Sequence, residues 1–157
     1  HDFDYYVLEI SSFQLDDIID FSPQFAVITN ITPDHLDRYN YKFEDYIQSK
    51  MRITENQTKH DFLLFNADDL VLLNAIKESN SKAEQLSFGT THAATTTYLD
   101  GENILFKNFK TTDMINTSSI TLSGRHNLLN AMAASTIASL LEISKDTIQN
   151  CKLKCLF

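Results

Sequence analysis

Two aspartates and a histidine lie close together directly after a short apolar run. Asp34, His35 and Asp37 follow the stretch Phe25–Asn30, whose apolarity predicts a strand buried on both faces, as in a parallel sheet. Carboxylates and an imidazole at the end of such a strand can bind Mg²⁺ or Mn²⁺ when phosphate oxygens and water complete the ligand set. The alternative is structural, because acidic residues after a strand also cap the turn that follows.

Polar side chains also follow two other predicted strands. Glu9 and Ser11 come at the end of the run 5–10, and Asp68 and Asp69 follow the run 62–66. Ligands of open α/β sheets bind outside the carboxyl ends of the strands, so neighbouring strands would bring Glu9 and His35 to one cleft. For Asp68 and Asp69 we favour a simpler role, the capping of the next helix.

Lys50 borders the apolar stripe of a predicted helix over 43–56. A lysine in that position usually extends its amine to solvent. If the amine is desolvated instead, its pKa falls, and the neutral form can react with CO₂ to give a carbamate. The carbamate would be an anionic oxygen ligand suited to Mg²⁺.

Asn127 and Asn130 lie three residues apart at the start of a predicted long helix, so they face the same side. Side-chain amides suit the edge of a base, and a helix N-terminus favours anions. A cap and a surface amide explain the same pair equally well.

Strands and helices that alternate along the chain must position these candidate residues. The alternation predicts an α/β fold with a mostly parallel sheet flanked by helices. A Thr-rich stretch around 93–123 with an Asp-Gly turn predicts two or three antiparallel strands at the sheet edge. The predicted strands are 5–10, 25–30, 62–66, 84–88, 95–99, 103–107 and 117–122, and the predicted helices are 13–20, 43–56, 69–79, 127–141 and 144–151.

Length, hydrophobic content and net charge limit the kinds of protein that this sequence can encode. The chain has 157 residues, 43% of them hydrophobic, and a formal charge of −8, which favours one globular domain without a nucleic-acid or membrane partner. Cys151 and Cys155 lack further metal ligands nearby, so reduced thiols in a cytoplasmic protein are expected. With three glycines, the sequence contains no phosphate-binding Gly-rich loop. The missing loop, together with a predicted strand that begins at residue 5, suggests that this sequence is a piece of a larger protein.

Four motifs then occur in a fixed order. They are E-x-S-S-F-Q-L at 9–15, N-I-T-P-D-H-L-D-R-Y at 30–39, Lys50, and G-R-H-N-L-L-N at 124–130. Together they resemble the Mur ligase family, ATP-dependent enzymes that add amino acids to the peptidoglycan precursor. Within the family, the first string is similar to the members that add D-glutamate to UDP-N-acetylmuramoyl-L-alanine through an acyl phosphate.

The resemblance implies that residues 1–157 are the later part of a P-loop NTPase-like central ATP-binding domain. The first strand, the phosphate loop, the N-terminal UDP-binding domain and the C-terminal domain would then be absent, and the piece alone inactive. The implied ligands are ATP, D-glutamate, the UDP-linked precursor and two Mg²⁺ ions, in a monomeric protein.

The resemblance also implies residue roles. Glu9 would bind the first Mg²⁺ ion, and His35 with a carbamylated Lys50 would bind the second. The substrate contacts would be Ser11, Gln14 and Tyr46, and the contacts on the adenine side of ATP would be Asn127, Asn130 and His126. Two alternatives remain: another amino-acid ligase of the superfamily, and a non-catalytic nucleotide-binding module.

Overall fold

Six strands form a single sheet in which the spatial order follows the chain order. The computed structural model describes residues 3–91, 96–107, 112–119 and 124–151. The first four strands pair in parallel, and the last three pair antiparallel. The strands are β1 (Phe25–Ile28), β2 (Phe62–Asn66), β3 (Glu84–Gly89), β4 (Thr97–Asp100), β5 (Asn103–Lys107) and β6 (Thr112–Asn116). The predicted fold class is confirmed, including the antiparallel edge.

Helices connect or cover these strands. They are α1 (Ser12–Leu15), α2 (Phe43–Met51), α3 (Leu70–Glu78), α4 (Arg125–Leu140) and α5 (Lys145–Asn150), with 3₁₀ turns at Leu36–Tyr39, Arg52–Thr54 and Thr117–Ser119. Asp69 begins α3, because its carboxylate accepts the backbone N–H of Leu72 at 3.0 Å. Among the described residues, no helix has the length and apolarity needed to cross a bilayer.

Strand β2 has side chains in both of the hydrophobic clusters that make up the core. Leu63 and Phe65 point to the side covered by α2 and α3, whereas Leu64 points to the side covered by α4. This follows from the alternation of side chains along a strand, and the continuous apolarity of β2 is what lets it be buried on both faces. The sheet therefore lies between two layers of helices, with α2 and α3 on one face and α4 on the other.

The predicted strand over 5–10 is wrong. Residues 5–10 form no regular element, and Val7 is 97% exposed. In the described part of the chain β1 is the edge strand and pairs with β2 alone. β-propensity reflects packing against cross-strand neighbours, and here residues 5–10 have none.

Three smaller differences concern element ends. The helix that begins at residue 12 stops at Leu15, and α2 stops at Met51 before a 3₁₀ turn. The last strand lies at 112–116, so the prediction of a strand at 117–122 is wrong for 117–119, and 120–122 lie outside the described residues. The β4–β5 turn is centred on Gly101, whose φ of +58° favours glycine.

Candidate functional site

The carboxyl ends of β1, β2 and β3 are held together by side-chain hydrogen bonds. The amide of Asn66 donates to the Thr29 carbonyl at 3.0 Å, and Asp69 accepts the Ile31 N–H at 2.8 Å. These bonds fix the segment after β1 against the end of β2. Polar groups after β1 and β2 therefore meet at this edge, whereas the predicted meeting of Glu9 with His35 stays a prediction.

His35 lies exposed at this edge on an unusual backbone. Its φ is +49°, in the left-handed region that few non-glycine residues adopt. Asp34 holds it there, because the carboxylate accepts the His35 N–H at 2.9 Å and lies 3.5 Å from the imidazole Nε2. The His35 side chain is 60% exposed, so its ring can reach a ligand. Asp34 therefore orients the histidine.

Lys50 lies at the border of the core. Its Nζ is 5.2 Å from the centroid of the Tyr46 ring, a distance typical of a cation–π contact. Tyr46 is buried, and its ring packs beside Tyr39 and Phe43. The ring of Tyr46 is therefore a fixed surface under the lysine.

A buried polar network joins the segments that carry the predicted site residues. Ser49, next to Lys50, is 4% exposed and bonds the Ser12 carbonyl at 2.8 Å and the Asp16 carboxylate at 2.6 Å. The Tyr39 hydroxyl lies 3.1 Å from Ser49 and 3.3 Å from the same carboxylate. Arg38 adds a contact over the Phe13 ring at 4.6 Å. The residues after Glu9, the loop of His35 and the helix of Lys50 thus form one unit.

Replacing Ser49 with alanine is expected to loosen this unit. Leaving buried partners without their hydrogen bond costs about 1–3 kcal/mol. We expect a lower melting temperature and faster hydrogen exchange at the amides around Ser12 and Tyr39. Ser79→Ala is the matched control, because its hydroxyl bonds only the nearby Ile76 carbonyl at 2.8 Å among the described contacts. Equal exchange in the two variants would contradict the role of Ser49.

Ser11 and Gln14 are paired with each other. The N–H and the hydroxyl of Ser11 both donate to the Gln14 side-chain oxygen, at 2.9 and 2.7 Å. The pair fixes the start of α1 and leaves both residues beside the polar network that ends at Ser12. Contact of either residue with a substrate stays a prediction.

Glu9 is exposed and is not placed by a strand. Among the described residues, no three His, Cys, Asp or Glu side chains are grouped so as to hold a metal ion. The predicted set contains only two residues of those types, and Lys50 would need its carbamate to be the third. The oxygen donors of Glu9 and a Lys50 carbamate fit a hard divalent cation, whereas the imidazole of His35 is an unusual ligand for Mg²⁺. Their joint binding stays a prediction.

The start of α4 presents the predicted adenine contacts. His126 and Asn130 are exposed, and Asn127 is partly buried. Gly124 precedes the helix with a φ of +104°, and a Cβ there would come within 3.2 Å of the His126 ring. The backbone therefore favours glycine at this position, and a larger residue would also require a small shift of the exposed His126 ring.

A cavity of about 370 Å³ lies on another face of the same helix start. It is lined by Leu99, Gly101, Glu102, Thr117, Gly124, Arg125 and Leu128. Helical geometry puts Gly124, Arg125 and Leu128 on one side and Asn127 and Asn130 on another. None of the predicted adenine contacts lines this cavity.

Asp68 is the residue that sequence reasoning missed. The expectation of a helix cap is correct for Asp69, but Asp68 bonds Thr90 and Thr91 after β3 and Arg125 at the start of α4. Burial alone would raise the pKa of Asp68, and these hydrogen bonds outweigh it and lower the pKa to about 2. The partners lie 22 or more residues away, so no local pattern could reveal them.

The comparisons with known proteins agree on a family. The Mur ligase middle domain profile matches residues 1–138. A UDP-N-acetylmuramoylalanine–D-glutamate ligase of Christiangramia forsetii is 46% identical over 93% of this chain, and one of Porphyromonas gingivalis is 38% identical over 92%. The chain spans 33% of the length of each of these relatives.

Solved structures show the same fold. A UDP-N-acetylmuramoyl-L-alanyl-D-glutamate–2,6-diaminopimelate ligase aligns with a TM-score of 0.63 and 19% identity, covering 89% of this chain and 31% of that one. MurF ligase from Thermotoga maritima, in complex with ADP, aligns with a TM-score of 0.57 and 21% identity, covering 85% and 31%.

Proposed function

Because this chain belongs to the Mur ligase family, we propose that it acts within an ATP-dependent ligase that joins D-glutamate to UDP-N-acetylmuramoyl-L-alanine. The observation that carries the choice of amino acid is the 46% identity to a D-glutamate ligase over 93% of this chain. The string E-x-S-S-F-Q-L at 9–15 supports the same choice. Such a ligase would serve peptidoglycan synthesis, and hence cell shape and division, in the cytoplasm.

We propose that residues 1–157 are the later part of the central, ATP-binding domain. The support is the match to a middle domain and the 33% coverage of the relatives. In the intact ligase the first strand and phosphate loop, a UDP-binding domain and a C-terminal domain would complete the monomeric enzyme. The reaction is therefore assigned to the intact ligase.

The proposed reaction has two steps. A carboxylate oxygen of UDP-N-acetylmuramoyl-L-alanine bonds to the γ-phosphorus of ATP as the bond to ADP breaks, giving an acyl phosphate and ADP. The amine of D-glutamate then bonds to the acyl carbon, phosphate leaves, and the amine loses a proton to give the amide. Phosphoryl transfer depends mainly on positioning and on stabilisation of charge.

In this proposal Glu9, His35 and a carbamylated Lys50 hold two Mg²⁺ ions, which when bound supply positive charge to the phosphate oxygens. Asp34, whose carboxylate lies 3.5 Å from the imidazole Nε2 of His35, would orient that ring for the metal ion. Tyr46 supports Lys50 from below and, with Ser11 and Gln14, contacts the UDP-linked substrate. ATP lies at the start of α4, where Asn127 and Asn130 bond the adenine beside His126.

The intact ligase should be assayed with ATP, Mg²⁺, UDP-N-acetylmuramoyl-L-alanine and single amino acids, with ADP release and product mass as the measurements. We expect turnover with D-glutamate and little with L-glutamate, L-lysine or D-alanine. The reason is that a ligase selective for D-glutamate would recognise both the carboxyl groups and the chirality of its amino-acid substrate. Equal turnover with several amino acids would favour another ligase of the superfamily.

A non-catalytic nucleotide-binding module is the second candidate, supported by the lack of a phosphate loop within this sequence. Calorimetry of residues 1–157 with ATP and Mg²⁺ separates the two functions. A module should bind without other domains, whereas the ligase proposal expects weak or no binding to this part.

A further inference from the structure

The Asp68 carboxylate is the meeting point of three segments. Its side chain is 3% exposed. It accepts the N–H and hydroxyl of Thr90 at 2.7 and 2.8 Å, those of Thr91 at 3.1 and 2.6 Å, and Nη2 of Arg125 at 3.1 Å. The end of β2, the turn after β3 and the first residue of α4 are therefore tied to one carboxylate.

Arg125 occupies a position where a positive charge is unfavourable unless an acidic group pairs with it. A cation in the first turn of a helix is opposed by the positive end of the helix dipole, and Arg125 is the first residue of the 16-residue helix α4. Gly124 in the cap position has no side chain to bond the first N–H groups. The ionised Asp68 offsets the unfavourable position of this cation, because its carboxylate lies 3.1 Å from Nη2 of Arg125 and supplies a negative charge to the guanidinium.

The charge state of Asp68 suits this role. With a pKa lowered to about 2 from 3.8, the group is ionised at neutral pH. Since the folded-state pKa is the lower one, the stabilisation is fully present above about pH 4 and is lost as the pH falls towards 2.

We propose that Asp68 is a positioning residue for the nucleotide: by holding Arg125 against the ends of β2 and β3, it fixes the start of α4 and thereby the placement of Asn127 and Asn130. The inference rests on the proposed function, because it takes those two amides as the adenine contacts. Asp68 itself does not touch ATP. Its effect should be specific to ATP and absent from the amino-acid substrate.

Asp68→Asn in the intact ligase is expected to raise KM for ATP about tenfold, as for loss of a charge-assisted hydrogen bond, with kcat and KM for D-glutamate little changed. Calorimetry with ADP and Mg²⁺ should show the same loss of affinity. As the pH falls towards 2, the free energy of unfolding of Asp68→Asn should also decrease less than that of the wild type.

Asp61→Asn is the matched control. The Asp61 carboxylate also accepts the N–H and hydroxyl of a threonine, Thr58, at 2.7 and 2.9 Å, but it lies before β2, at the opposite end of the strand. Asp61→Asn should lower stability and leave KM for ATP unchanged. An equal rise of KM in both variants would reduce the Asp68 effect to general destabilisation and overturn the proposal.

Arg125 provides a second test that does not depend on a buried substitution, because its side chain is 65% exposed. Arg125→Ala should raise KM for ATP, and Arg125→Lys should restore part of the affinity. The double variant with Asp68→Asn should be little worse than Asp68→Asn alone, since both remove one interaction. If Asp68→Asn does not fold, KM for ATP in the Arg125 variants tests the proposal instead, and an unchanged KM in Arg125→Ala would contradict it.

The outcomes separate two failures. A wild-type ligase that does not use ATP contradicts the proposed function. A wild-type ligase that uses ATP, with KM for ATP unchanged in the Asp68 and Arg125 variants, contradicts the positioning role alone.

Discussion

Lys50→Ala in the intact ligase is expected to lower kcat by about 10²–10³-fold, the size of effect seen when one group that stabilises transition-state charge is removed. The physical reason is the loss of the carbamate, an anionic oxygen ligand that alanine cannot form. Added bicarbonate should not restore turnover, because the amine that reacts with CO₂ is gone.

Lys42→Ala is the control for this substitution. Lys42 precedes the same helix, is exposed and makes no side-chain cap. It should leave kcat unchanged. With ¹³C-labelled bicarbonate, the wild-type ligase should show a carbamate carbon signal in NMR spectra that Lys50→Ala lacks. A wild-type rate in Lys50→Ala would exclude the carbamate role.

His35→Asn is expected to have the second-largest effect. Asparagine tolerates the left-handed backbone that His35 adopts at φ +49°, so the loop should keep its course while the imidazole is lost. We expect kcat to fall about 10²-fold and the Mg²⁺ concentration for half-maximal activity to rise, as for loss of a metal ligand. Initial rates over a Mg²⁺ titration measure both.

His60→Asn serves as its control. His60 is exposed in the turn before β2, at the end of the strand opposite to the candidate site. Its Mg²⁺ dependence should match the wild type. An unchanged Mg²⁺ requirement in His35→Asn, with normal turnover, would remove His35 from the metal site.

The α/β fold and most of its elements could be predicted because their signals are local. The run 62–66 is apolar at every position before Asn66, which indicates a strand buried on both faces, and β2 has those bounds. An aspartate before Leu70, either Asp68 or Asp69, predicts the start of α3 for the same reason, since a cap acts on residues next to it. The family was also predictable, because its motifs are short strings in a fixed order.

Residues 5–10 have a strand-like composition and form no strand, because a strand needs a hydrogen-bonded neighbour that composition does not supply. The tie between Asp16, Tyr39 and Ser49 was equally hidden, since each hydroxyl or carboxylate looks like an ordinary surface group in the sequence.

The layered α/β architecture, the family and the candidate chemistry of Glu9, His35 and Lys50 follow from the amino-acid sequence alone. The different roles of the two neighbouring aspartates are visible only in three dimensions: Asp69 caps α3, whereas Asp68 joins the ends of β2 and β3 to the start of α4. Caps and periodicities act over a few residues, whereas the bond from Asp68 to Arg125 crosses 57 positions and exists only after the sheet has brought both residues to one edge.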